Sequence, residues 1–149
     1  MKKKDLNPPT YLCVAILLMV ALHLLFPLMK FRLFPWSLLG LIPLGAGIAL
    51  NLIADGAFKT ERTTVKPFET SSALITNGVF RITRNPMYLG FVFMLTGIAL
   101  LMESLSPFLV ILIFIPFVQI YYIRAEERML ENTFQDAWES YSRQVRRWI

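Results

Sequence analysis

Apolar residues dominate the chain in four runs: about Tyr11–Met29, Trp36–Ala54, Tyr88–Met102 and Pro107–Ile123. Each is close to the roughly 20 residues needed to cross the hydrocarbon core of a bilayer, the third being shortest at about 15. None alternates with the two-residue period of a strand, so each predicts a helix apolar all round, as lipid demands. Between the third and fourth runs only Glu103-Ser-Leu-Ser106 intervenes, which predicts a tight hairpin of antiparallel helices. After Ile123 the pattern changes: Leu130, Phe134, Ala137, Trp138 and Tyr141 recur at helical spacing among charged residues, predicting one amphipathic helix beyond the membrane. Such a helix either lies on the lipid surface or caps the mouth of the bundle as a lid.

These elements define an all-α, polytopic integral membrane protein with about four transmembrane helices and a C-terminal amphipathic cytoplasmic helix. The expected organisation is a single membrane domain, residues 1–149, with an N-terminal helical pair over 1–54 and a second part over 55–149. Composition agrees, because 56% hydrophobic content in 149 residues is too apolar for a soluble domain. The start, three lysines before an apolar run, resembles a signal peptide, but no small-residue cleavage site follows, so an uncleaved first helix is expected. Of the 15 Lys and Arg residues, all but Lys30 and Arg32 fall on one side of this topology. That bias places both ends in the cytoplasm, and the compact basic chain points to a bacterial inner membrane.

The net charge of +5 does not make a nucleic-acid surface, since the basic residues sit in short stretches between apolar runs. One cysteine, Cys13, and one histidine, His23, both in the first apolar run, supply neither a disulfide nor a metal set. His23 is expected to be a packed, hydrogen-bonded structural residue.

Chemistry is concentrated in two places. In Asn77-Gly-Val-Phe-Arg-Ile-Thr-Arg-Asn-Pro-Met-Tyr88, Asn77-Gly78 signals a turn and Asn85-Pro86 a helix start, the asparagine capping and the proline pre-setting the first turn. A helix N-terminus with Arg84 beside it suits a carboxylate or phosphate, although a capped helix with a snorkelling arginine gives the same pattern. The second place is Arg124-Ala-Glu-Glu-Arg128. Adjacent helical residues point about 100° apart, so Glu126 and Glu127 are expected to divide their tasks, one facing inward and the other pairing with Arg84, Arg124 or Arg128.

The order Leu74-Ile-x-x-Gly-Val-Phe80, Arg84-Asn-Pro-x-Tyr-x-Gly90, an apolar hairpin, Glu126-Glu127, then Phe134, Trp138, Tyr141 and Val145-Arg-Arg-Trp148 resembles the isoprenylcysteine carboxyl methyltransferases. It is also similar to the membrane phospholipid N-methyltransferases. The resemblance covers about residues 55–148 and implies that the second part of the chain is a methyltransferase core with an S-adenosylmethionine pocket. A lipophilic methyl acceptor, an isoprenylcysteine-like carboxylate or another isoprenoid or lipid, would enter from the bilayer. It places cofactor contacts on Ser72, Ala73, Leu74, Ile75, Phe80, Asn85, Pro86, Met87, Tyr88 and Glu127, and catalytic roles on Glu126 and Arg84. Two positions depart from the eukaryotic pattern, which has histidine at Asn85 and tyrosine at Phe80. The competing classes are a phospholipid N-methyltransferase, a nicotinamide-dependent membrane reductase, for which the chain has little basic loop surface, and a non-catalytic membrane scaffold. The clustering of Arg84, Asn85 and Glu126 on one membrane side favours a methyltransferase, with no metal and no nucleic-acid partner.

Overall fold

The computed structural model describes residues 8–30, 34–61 and 72–149. Of the residues behind the sidedness argument, Lys2, Lys3, Lys4, Arg32, Arg62 and Lys66 lie outside that set.

Among the described residues five α-helices carry the fold. Helix α1 (Pro8–Leu25) opens on two prolines, whose missing N–H groups cost nothing in a first turn, and ends just before Phe26-Pro27. A short 3₁₀ turn, Trp36–Gly40, leads into α2 (Leu41–Thr60), which runs past the apolar stretch by more than a turn. Helix α3 (Pro86–Leu101) starts on Pro86, as expected. Helix α4 (Ser106–Val118) continues through a π turn (Gln119–Ile123) into α5 (Arg124–Gln144). The cause of the π turn is local: Pro116 has no N–H to donate inside α4, so the ladder loosens and absorbs an extra residue one turn later. Three of these stretches are long and apolar enough to span a membrane, and α3 is a shorter apolar helix.

Helix α3 is central. Its face against α2 is cut from glycine, where a Cβ on Gly47 or Gly90 would strike the backbone carbonyl opposite, as it would between Gly40 and Gly97. Small residues let two helices approach closely where lipid offers no hydrophobic drive for association. Asn51 on α2 completes this seam by donating to the Met87 carbonyl at 3.3 Å. On its other faces α3 meets α1 and α4, where Met19, Leu95, Ala99, Phe114 and Val118 form the buried core.

The end of the bundle that carries the α3–α4 hairpin is tied by polar groups. Ser106 Oγ donates to the Phe26 carbonyl (2.6 Å) and accepts from Leu28 N–H (2.7 Å), and Leu105 N–H donates to the Leu28 carbonyl. His23 shares a 2.7 Å hydrogen bond with Ser104, the structural role expected of it.

The amphipathic tail is not one straight helix. Gln135 breaks α5 with φ 41° and ψ −112°, so the expected single stripe fails and Ala137 is exposed. The residues beyond the break still bury their aromatic face: Trp138, Tyr141 and Val145 pack with Leu74, Leu130 and Phe134. Tyr141 Oη donates to the Phe80 carbonyl at 2.7 Å, fastening this part of the chain to the turn before α3.

Candidate active site

The approach to α3 sets the geometry. Gly78 takes φ 56°, which glycine adopts without strain, and a 3₁₀ turn (Gly78–Arg81) follows. Thr83 Oγ1 then accepts the Asn85 N–H at 3.1 Å. The expected cap is absent: the Asn85 side chain makes no capping bond and donates instead to the Arg147 carbonyl at 3.0 Å, 62 residues away. A buried amide takes the acceptor that is fixed beside it, and here that acceptor belongs to the chain after α5.

From this start Tyr88 points into the bundle. Its hydroxyl, on a side chain 5% exposed, donates to Glu126 Oε1 at 2.7 Å. Tyr122 of the π turn packs beside Tyr88, and Tyr11 of α1 packs edge-on against Tyr122, so the ring that holds the carboxyl is itself set among aromatic rings. Glu126 stands three residues past Ile123, beyond the apolar run. Burial pushes its carboxyl up to about 7, the hydrogen bond from Tyr88 works the other way, and the neighbouring Glu127 adds to the rise.

Glu127 faces elsewhere. Arg147 grips it through Nε, at 3.0 Å from Oε1, and through a terminal nitrogen, at 2.6 Å from Oε2. Arg84 approaches the same carboxylate at 3.4 Å and lies over the Trp138 ring, 5.5 Å from its centroid. The Arg84 side chain is only 14% exposed, and its buried Nε has no acceptor. These groups line a cavity of about 270 Å³, completed by Arg124, Arg128 and Glu131. Four guanidinium groups against two carboxylates leave it with a net positive charge.

The expected residues therefore form several groups. Arg84 and Glu127 share the cavity, and Tyr88 and Glu126 share a hydrogen bond. Ile75, Phe80 and Met87 lie in a separate apolar packet with Ala54 and Phe58, and Leu74 packs on the Trp138 cluster. Pro86 and Asn85 are buried in the start of α3, while Ala73 is half-buried and Ser72 exposed just upstream. Sequence reasoning passed over Arg147 and Gln119. The signal for Gln119 was there, an amide inside an apolar span; Arg147 stood in the closing Val145-Arg-Arg-Trp148 stretch of the resemblance without a role of its own.

The family model for phospholipid methyltransferases matches residues 36–137, from the turn before α2 to the middle of α5. The chain belongs to the phospholipid methyltransferase family. Among solved structures it is similar to a eukaryotic intramembrane Ras methyltransferase, isoprenylcysteine carboxyl methyltransferase, with a TM-score of 0.69 and 24% identity. That likeness covers 97% of this chain and 54% of the other, so the chain spans about half the length of the structure whose fold it shares. No curated protein matches the sequence. The matched stretch of the phospholipid methyltransferase family holds Arg84, Tyr88, Glu126 and Glu127, whereas Tyr11, Trp138, Arg147 and Trp148 lie outside it.

Proposed function

We propose that the protein transfers a methyl group from S-adenosylmethionine to a lipophilic acceptor at the charged end of the bundle. The observation that carries this reading is the contact between Tyr88 and Glu126, 38 residues apart in sequence, beside an arginine-lined cavity. A hydrophobic scaffold has no use for a carboxyl held by a buried tyrosine hydroxyl next to that cluster of arginines.

The residues fit the donor. Its carboxylate needs a permanent cation, and Arg84 offers a buried guanidinium whose Nε has no acceptor. When bound, S-adenosylmethionine supplies an electrophilic methyl on a positively charged sulfur. The chain's own contribution is alignment: α3 fixes Tyr88, whose hydroxyl holds Glu126, and the π turn fixes Tyr122 against the Tyr88 ring. Glu126, as the carboxylate, takes the proton that an ammonium group must shed before its nitrogen can attack.

That last point favours an amine over a carboxylate acceptor. A carboxylate already carries its lone pairs, needs no base and is repelled by Glu126. The test is incubation of the purified protein with labelled S-adenosylmethionine and a membrane lipid extract, followed by mass analysis. Label in an amine-bearing lipid supports the proposal, label in a methyl ester shifts it to the carboxylate, and no transfer to any lipid overturns it.

A further inference from the structure

The segment that follows α5, Val145–Ile149, runs back across the site as a strap. Its backbone is held by the start of α3: Arg84 N–H donates to the Arg146 carbonyl at 3.0 Å, and the Thr83 hydroxyl and Asn85 amide both donate to the Arg147 carbonyl. Its side chains reach the other way. Trp148 Nε1 donates to Gln119 Oε1 in the π turn at 2.8 Å, and the Arg147 guanidinium holds Glu127 in the first turn of α5. One short stretch thus joins the three elements that carry Arg84, Tyr122 and Glu126.

The pairing around Glu127 has a consequence for Arg84. A half-buried carboxylate beside a single guanidinium closes into a tight two-pronged pair, because both charges lose water and gain each other. Here both carboxylate oxygens are already engaged by Arg147, through Nε and a terminal nitrogen. Arg84 is left 3.4 Å away, too long for a strong charge-assisted bond, with its Nε unpartnered. We infer that Arg147 is a positioning residue: by holding Glu127 it keeps that carboxylate off Arg84, so that Arg84 stays available to an incoming anion. The inference rests on the methyltransferase reading only in taking the donor's carboxylate as that anion.

The experiment measures binding of S-adenosylmethionine to the detergent-solubilised, full chain by calorimetry, with melting and size-exclusion profiles to confirm folding. Arg147→Met frees Glu127 to capture Arg84, and Kd for the donor rises about tenfold, the scale for losing one charge-assisted contact. Adding Glu127→Gln removes the competitor and returns Kd most of the way to the wild-type value. Arg147→Lys, with a point charge in place of a two-pronged fork, falls between. If Arg147→Met does not fold, Arg147→Lys with and without Glu127→Gln carries the same comparison.

Recovery of affinity in the double variant supports the inference, since a merely structural arginine would leave it as weak as Arg147→Met or weaker. An unchanged Kd in Arg147→Met, or no recovery on adding Glu127→Gln, overturns it while wild-type binding leaves the methyltransferase reading standing. Wild-type protein that binds no donor overturns both.

Discussion

Helix α3 is held on two sides by seams of different physics. Against α2 it meets glycine on glycine, backbone to backbone, with a single amide bond from Asn51 at one end. Against the chain after Ile123 it is held by polar and charged groups: Tyr88 donates to Glu126, Asn85 donates to the Arg147 carbonyl, and Arg84 stands 3.4 Å from the Glu127 carboxylate that Arg147 grips. The first seam is dispersion between close-fitting surfaces, sensitive to volume and indifferent to pH. The second depends on charge and on which groups are protonated, and it holds every ionisable residue of the proposed site. Stability and chemistry have been given to opposite faces of one helix, so they can be perturbed separately.

The largest expected effect lies in the polar seam. Glu126→Gln lowers amine-methylation turnover by roughly 10² to 10⁴, the usual weight of a general base, while the melting temperature does not fall. The second half follows from the sign of the shift. With its folded value raised to about 7 from 4.5, Glu126 weakens the fold progressively as pH climbs through that interval, and glutamine removes the penalty. A parallel drop in melting temperature would show that the two seams are not separable.

Next comes the apolar seam. Gly97→Leu pushes side-chain volume against the Gly40 carbonyl and Leu44, which cannot move away without separating the helices. The expected cost is about 1–3 kcal/mol, read as a lower melting temperature, with donor affinity in the surviving folded fraction unchanged. A smaller effect sharpens the comparison from the polar side. Turnover on an amine should rise with pH through about 7 as Glu126 ionises, and Tyr88→Phe, which removes the bond favouring the carboxylate, should move that midpoint to higher pH. A midpoint that stays put in Tyr88→Phe would detach the limb from Glu126. The smallest effect belongs to neither seam: Arg143→Ala breaks an exposed ion pair with Glu139 and should change stability by less than about 0.5 kcal/mol.

Much of the frame was legible in the sequence because lipid imposes it. Four apolar runs became α1 to α4, and Asn85-Pro86 marked the start of α3, since proline at a first turn has a purely local cause. The division of labour between Glu126 and Glu127 was legible for a similar reason, as it needs only the angle between neighbours on a helix. What could not be read were pairings set by tertiary approach. Asn85 was expected to cap its own helix, yet the Arg147 carbonyl lies closer to hand. The stripe from Leu130 to Tyr141 kept its helical period across a break at Gln135, because periodicity reports which residues are apolar and not where the backbone turns. The dispersal of Ile75 and Phe80 into a packet with Ala54 and Phe58 likewise depends on where α2 ends, which its hydropathy did not set.

The widened turn at Gln119–Ile123 has a consequence for what this protein can tolerate as it diverges. One surplus residue advances everything downstream by about 100° around the helical axis, so the direction in which Glu126 looks is recorded as a count of residues and not in their identity. Exchanges such as Ile120 for another aliphatic residue leave that record intact. A one-residue deletion in the same stretch would keep composition and hydropathy nearly unaltered, yet swing the carboxyl away from Tyr88 and into a different sector of the bundle.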